Sequence, residues 1–389
     1  MSADRVLRTL IVKPRLGASY EALAERLSDD LTVREFVGLT LTEKGPSRST
    51  LQENCRKVRP ETLGAILQGF ARATETREHE RGEKIRVDCT PVAANVHFPS
   101  DSSLIWDSVR VLTRLAARAV EFGVSCPDRR RVAKQKHRRI YWARRKVQRV
   151  PVYRELVEVA RQVAADICGV ISGLRAARGP GARKRRDLAK RLQHFHGLLE
   201  RVLNQTERRV FRGETVPVAE KVLSIFEEHV DLLVSGRTKT FGHKITLTVG
   251  ASGLALDCVI ERGNPNDMTL TTRQIERAKQ LFGSAPKQVA FDGGFASRKN
   301  LEEARELGVE RCAFSKGKGL TPAEMAGSRR TYGRLKRFRA GVEAWISVYK
   351  RGFGLDRCNW RGWRGFQAYV WSTLLSANLT QLARLRLRT

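Results

Sequence analysis

No stretch of the 389 residues approaches the roughly 18 consecutive apolar residues that a membrane-spanning helix needs, so a membrane protein is not expected. The start, MSADRVLRTLIVKPR, has no apolar h-region and no small-residue cleavage site, so secretion is not expected either. Seven cysteines stand at 55, 89, 126, 168, 258, 312 and 358 with no CxxC pair among them, which indicates neither a zinc module nor a disulfide framework. There is no internal repeat and no long low-complexity tract. The glycine-rich loop at Lys316-Gly-Lys-Gly lacks the GK[ST] of a phosphate-binding loop and its strand–loop–helix setting, so nucleotide hydrolysis is not expected. The expected setting is reduced and intracellular. Acidic residues are also scarce: 41 Asp and Glu face 73 Lys and Arg, for a net charge of +32.

What is present starts with a 41% hydrophobic share, enough for a folded core, over a length that suits two or three domains. The charge is concentrated. Residues 127–150 hold eleven Lys or Arg against one Asp, 175–191 hold eight against one, and 329–389 hold fourteen against two. These three segments account for nearly the whole excess. Concentrated positive charge points to a polyanion, through phosphate neutralisation and counter-ion release. Tyr141, Trp142, Trp360 and Trp363 lie within the segments as possible stacking partners for bases. An anionic membrane surface is disfavoured, because no basic segment carries a strongly apolar stripe.

Residues 1–75 read as short helices with turns, suiting a helix-turn-helix-like DNA-binding domain; Ser49 with Gln52 has capping-box spacing. Lys84–Thr90 alternates as a strand, and a long helix starts at Asp101-Ser-Ser. Residues 125–235 have helical periodicity and read as a basic insertion. Strand patterns return at Lys244–Gly250 and Leu254–Ile260, a hairpin around Ala251-Ser-Gly253. Further strands are expected at Gln288–Phe291 and Glu310–Phe314, with helices over Asp267–Leu281, Thr331–Arg351 and Gly365–Arg384. The expected fold class is α/β: a mixed sheet interrupted early by a large basic helical insertion, plus an all-helical N-terminal domain. The domains are 1–75, then 84–124 with 240–389, and the insertion 125–239.

Three carboxylates stand out against basic or apolar surroundings. Asp88 lies inside the first strand, Asp292 ends a later strand before two glycines, and Glu343 lies mid-helix. Phosphodiester chemistry uses such a cluster: hard oxygens hold divalent cations that clamp the attacking and leaving oxygens. Arg339, four residues before Glu343, shares one helical face with it, together with Lys350 and Lys336. A carboxylate on such a stripe can bind metal while its neighbours hold phosphate oxygens; a surface Arg339–Glu343 ion pair is the simpler reading. Lys244, Arg144 and Arg145 complete the expected DNA contacts. His97 reads as a structural histidine or a phosphate-positioning one, and Asn264 and Asp267 as helix caps.

With these residues in view, the sequence resembles bacterial insertion-sequence transposases of the DDE type, most closely the ISNCY-type branch. Asp88-Cys-Thr-Pro-Val-Ala-Ala-Asn-Val-His-Phe-Pro-Ser-Asp-Ser-Ser-Leu-Ile-Trp-Asp107 is similar to the first-Asp signature, and Val289-Ala-Phe-Asp-Gly-Gly-Phe-Ala-Ser297 to the second. Arg339-x₃-Glu343-x₆-Lys350 fits the helical signature, with Lys336 in place of its tyrosine. Ala93 and Thr240 also depart from residues common among relatives. The resemblance implies an RNase H-like core in which Asp88, Asp292 and Glu343 are the catalytic and metal-binding triad. It implies Mg²⁺, with Mn²⁺ as a possible substitute, cleavage of double-stranded DNA at terminal inverted repeats, and transfer of the freed 3′-hydroxyl into target DNA by a synaptic homodimer. The alternatives are a nuclease with the same core that cuts without joining, and an element-derived DNA-binding protein without catalysis.

Overall fold

The computed structural model describes residues 1–236 and 238–387, and the side chains of all of these except residues 74, 75 and 146. Arg388 and Thr389, which close the third basic segment, and Arg237 lie outside the described residues. The chain forms two compact units, Met1–Asn95 with Asp231–Thr389, and Val96–Val230.

The first unit opens with helices α1 (Ala3–Leu16), α2 (Tyr20–Asp29), α3 (Leu31–Val37), α4 (Arg48–Lys57), α5 (Pro60–Arg72) and α6 (Thr74–Arg77), then strand β1 (Lys84–Ala93). The second unit contributes α7 (Asp101–Ala116), α8 (Arg130–Trp142), α9 (Lys146–Ala176) and α10 (Ala182–Thr206). The first unit resumes with β2 (Asp231–Ser235), β3 (Thr238–Gly250), β4 (Ala255–Ile260), α11 (Thr271–Phe282), β5 (Gln288–Phe291), α12 (Arg298–Glu306), β6 (Arg311–Phe314), α13 (Pro322–Ala326), α14 (Arg329–Phe353) and α15 (Gly362–Arg386).

The N-terminal helices begin where short polar side chains meet otherwise unpaired amides: Ser2, Ser19, Asp30 and Ser47 each accept from a first-turn N–H. The cap of α4 is Ser47, bonded to the amide of Thr50, rather than Ser49, which already lies in the first turn. Leu23, Leu27, Val33, Val37 and Leu51 form their shared core.

The sheet runs β2-β3-β1-β5-β6, with β4 also on β3. β3 is long enough to take β1 along one edge and both β2 and β4 along the other. β1 pairs antiparallel with β3 and parallel with β5, and β5 pairs parallel with β6. The fold class is therefore mixed α/β with a mixed sheet and a helical N-terminal region. Asp231–Ser235 departs from the helical reading of that stretch. Its apolar run, Leu-Leu-Val, is too short for periodicity to separate helix from strand, and pairing with the start of β3 decides it.

Alternation along β1 sorts its residues between two faces. Ile85 and Val87 enter a core with Val289, Phe291, Phe314, Ile275 and Leu301, under α11 and α12. Arg86 and Asp88 face α14. Asn378 of α15 ties the outer strand β4 to that helix by bonding both main-chain groups of Ala255, at 2.8 and 2.7 Å.

The second unit has its own core of Ile105, Leu112, Leu156, Ile167, Leu192 and Leu199, drawn from α7, α9 and α10. Its buried Asp101 accepts from Gln205 (2.9 Å) and Arg209 (3.0 Å). The unit includes residues 96–124, which the sequence reading groups with the sheet. Among the described residues, no helix is long and apolar enough to cross a membrane.

α14 is seated on the β3–β4 turn. The Tyr349 hydroxyl donates to the carbonyl of Gly253 at 3.0 Å, and a Cβ at Gly253 would overlap the ring of Trp345. Gly253 also has φ of +86°, a region that disfavours side chains. Gly253→Ala should therefore cost about 2 kcal/mol or more by urea denaturation. Gly263→Ala, at φ +67° with open space around it, should cost only about 1 kcal/mol. Equal losses would show that the Trp345 contact does not seat the helix.

Candidate active site

The register of β1 against β5 places Val87 opposite Phe291, so the next residues are neighbours: Asp88, in the middle of β1 where its pairing with β5 stops, and Asp292, just past the end of β5. Helix α14 covers this face. Arg86, two residues before Asp88 on the same face, donates from Nη1 to the carbonyl of Phe338 at 2.9 Å and lies 4.5 Å from the centroid of its ring. Gly341 permits this approach, since a Cβ there would collide with Arg86 Nη1. At the other end of the contact, the Tyr332 hydroxyl donates to the carbonyls of Phe314 (3.0 Å) and Ser315 (3.3 Å), tying α14 to the end of β6. Glu343 is thus delivered to the two aspartates by a helix fixed at several points.

One guanidinium meets all three carboxylates. Arg339 Nη2 lies 3.2 Å from Asp88 Oδ2 and 2.8 Å from Asp292 Oδ1, and Nη1 lies 2.8 Å from Glu343 Oε1. Sharing one nitrogen, those two aspartate oxygens are at most about 6 Å apart. Exposure rises across the cluster, from 14% for Asp88 and Arg339 to 40% for Asp292 and 65% for Glu343. The two aspartates differ in their electrostatics. Burial pushes the Asp88 carboxyl up to about 6, against the opposing pull of Arg339 and a bond from the Cys89 amide. Burial works on Asp292 in the same sense. There the Ser315 hydroxyl (2.8 Å), the amides of Gly293 and Gly294, and Arg339 outweigh it and hold the carboxyl below its usual value. Two adjacent carboxyls with affinities driven apart are a common feature of sites that handle protons and cations.

The donor chemistry suits a hard divalent cation: three carboxylates supply oxygens and more negative charge than Arg339 neutralises. As they stand, however, no three or more His, Cys, Asp or Glu among the described residues are grouped so as to hold a metal ion. The guanidinium lies among the oxygens that would do so.

The remaining expected residues are placed as follows. Lys336 and Lys350 share α14 with Glu343; Lys336 is exposed, and Lys350 is 3.6 Å from Asp356. Lys244 is engaged, donating to the carbonyl of Pro265 (2.7 Å) and to Asp267 (3.0 Å). Asp267 is thus an ion-pair partner, while Asn266 caps the turn that follows. Arg144 and Arg145 are exposed between α8 and α9 in the second unit. His97, in that same unit, lies 3.5 Å from Asp107. Trp360 packs near Tyr20 and Tyr369, and Trp363 near Phe366 and the buried His243. Sequence reasoning did not find Ser315, Tyr332 or the role of Arg86. Only Arg86 carried a signal, as a charged residue in step with Asp88 along a strand.

The mixed sheet and helix α14 thus bring together one carboxylate from within β1, one from just past the end of β5 and one from the helix. Residues 234–379 match the family model described as Transposase DDE domain, and residues 1–57 match Transposase domain (DUF772). Both stretches are thus similar to transposase domains. The first match contains Asp292 and Glu343; Asp88 and the second unit lie outside both matched stretches. No curated protein and no solved structure matches the chain.

The raised affinity of Asp88 for its proton has a signed consequence. Between about pH 4 and pH 6 the folded protein keeps a proton that the unfolded chain has lost, so this residue's contribution to stability falls as pH rises through that window. Asp88→Asn cannot ionise. In metal-free buffer its urea midpoint should gain on the wild type from pH 4 to pH 6 and keep that advantage above. A gap that does not change with pH would contradict the placement of Asp88.

Proposed function

We propose that the protein is the transposase of an ISNCY-type insertion sequence, with an RNase H-like core in which Asp88, Asp292 and Glu343 are the catalytic, metal-holding residues. The observation that carries this reading is the meeting of three carboxylates from β1, the end of β5 and α14 at one guanidinium. The order β4-β3-β1-β5-β6, with β3 alone antiparallel to its neighbours, supports the RNase H-like assignment. The transposase domain matches support the reaction class.

In this reading Mg²⁺ or Mn²⁺ held by the three carboxylates would activate the attacking water or 3′-hydroxyl and stabilise the leaving oxygen. The protein's own groups do the rest. Asp88 is fixed within β1, and Asp292 directly follows the last residue of β5 paired with that strand. Ser315 and the Gly293 and Gly294 amides keep Asp292 ionised and oriented. Glu343, the most exposed of the three, closes the site from the helix. Lys336, Lys350 and Arg339 line the same helix as seats for phosphate oxygens of terminal-repeat or target DNA. Arg144 and Arg145 contribute backbone contacts from the second unit. Lys244 would serve DNA only by leaving Asp267, which makes it the weakest member of the set. The helices of residues 1–75 form the DNA-binding domain, the sheet from β1 onward the catalytic domain, and the basic insertion, expected over residues 125–239, corresponds to the second unit, Val96–Val230. Two element ends handled together call for a homodimer.

The test uses DNA carrying the element ends, target DNA and Mg²⁺. Wild type should cut at the ends and join the 3′-hydroxyl to target. Asp88→Asn, Asp292→Asn and Glu343→Gln should each lose cutting and joining by more than the about 100-fold typical of removing a group that merely supports a metal ligand. All three should still shift DNA in gels. Cutting without joining of pre-cut ends would favour a nuclease. Unimpaired joining by any one variant would remove that residue from the mechanism.

A further inference from the structure

Arg339 does not sit as a permanently structural arginine sits. Arg34, buried among the N-terminal helices, donates to main-chain carbonyls of Leu27 (2.7 Å), Glu43 (2.6 Å), Thr40, Ser28 and Leu41. Its hydrogen-bond partners there are main-chain carbonyls. Arg339 reaches carboxylates from three separate elements, and its buried Nε–H has no acceptor. Its place answers to charge while leaving part of its donor fork unmet. It also leaves negative charge over, since three carboxylates surround one cation.

The same side chain stands on the α14 stripe that carries Lys336 and Lys350. A phosphate offers a guanidinium the paired acceptors that its present seat lacks. Resting on the transposase reading above, we propose that Arg339 is a displaceable counter-ion. Without DNA its guanidinium occupies the cation position among Asp88, Asp292 and Glu343. A DNA phosphate draws it out and opens those oxygens to a divalent metal.

Two consequences follow. DNA and metal bind with positive coupling, and the coupling is reciprocal, because each favours the arrangement in which Arg339 has left the carboxylates. The site therefore loads metal chiefly when a DNA strand is in place, which limits cation-dependent reactions by the DNA-free protein.

The test is Mn²⁺ binding, read as free Mn²⁺ by electron paramagnetic resonance, for full-length wild type, Arg339→Gln and Arg339→Lys. Each is measured alone and with a short blunt duplex of arbitrary sequence. Asp88→Asn/Asp292→Asn protein with the same duplex serves as the blank for ion held by DNA. Wild type should bind Mn²⁺ weakly alone and about tenfold or more tightly with duplex. Arg339→Gln should bind without DNA about as tightly as wild type does with it, and the duplex should add little. Arg339→Lys, a point charge that cannot span three carboxylates, should fall between, and it carries the test if the glutamine variant does not fold.

The proposal is overturned if Arg339→Gln keeps the wild-type affinity without DNA, or if the duplex tightens Mn²⁺ equally in variant and wild type. For the lysine variant, wild-type behaviour in both states overturns it. If the blank holds as much Mn²⁺ as wild type with duplex, the carboxylates bind no metal, and the transposase reading falls together with this inference.

Discussion

Parallel pairing of β1 with β5 is the constraint from which the site follows. It sets Val87 beside Phe291 and so turns two residues more than 200 positions apart in sequence into adjacent carboxylates. Both strands are anchored on their other face by fully buried residues, Ile85, Val87, Val289 and Phe291, so a register slip would expose that core. Glu343 arrives differently. It rides on α14, which is held by Tyr332 at the end of β6, by Arg86 from β1, and by Trp345 and Tyr349 at the β3–β4 turn. The least buried carboxylate is therefore the one carried by a docked helix rather than by the sheet.

This geometry makes the cluster electrostatically demanding. In a chain with a net charge of +32, three carboxylates gather in one place and draw in a cation from their own helix. Burial opposes the charge of Asp88 strongly enough to shift its titration toward neutrality, while hydrogen bonds at Asp292 work the other way. Close packing of like charges costs stability, and it persists here beside a helix whose remaining surface is basic. That combination suits a function needing cations and phosphates at one point more than it suits a stable core.

Much of this architecture is legible in the residues. Gln288–Phe291 reads as a strand and is one, because its apolar run is bounded by turn-forming residues. The hairpin around Gly253 reads correctly because alternation on both sides meets a glycine; β3 then extends back to Thr238, where pairing with β2 supports polar residues that alternation alone would not assign. Ser297 caps α12 as its sequence context suggests. The strand β2 stays hidden because five residues cannot display a period. For the site, Asp88, Asp292 and Glu343 stand out singly, but their convergence depends on strand order, which no local pattern encodes. Ser315 and Tyr332 are illegible for the same reason: their roles exist only once β6 lies beside β5 and α14 crosses their ends.

The second unit, Val96–Val230, interrupts the chain directly after β1 and brings two of the three basic segments with its own helical core. Inserting it there leaves the sheet's pairing intact, since β3 returns to β1 after the excursion. Basic charge is thus added without disturbing the pairing of β1 with its neighbours. The account is tested most directly by anomalous diffraction from crystals of the protein grown with Mn²⁺ and a duplex bearing an element end. It predicts Mn²⁺ density bound by Asp88, Asp292 and Glu343 against a DNA phosphate, with the Arg339 guanidinium withdrawn. Mn²⁺ bound elsewhere, or Arg339 still bridging the three carboxylates beside bound DNA, would contradict it.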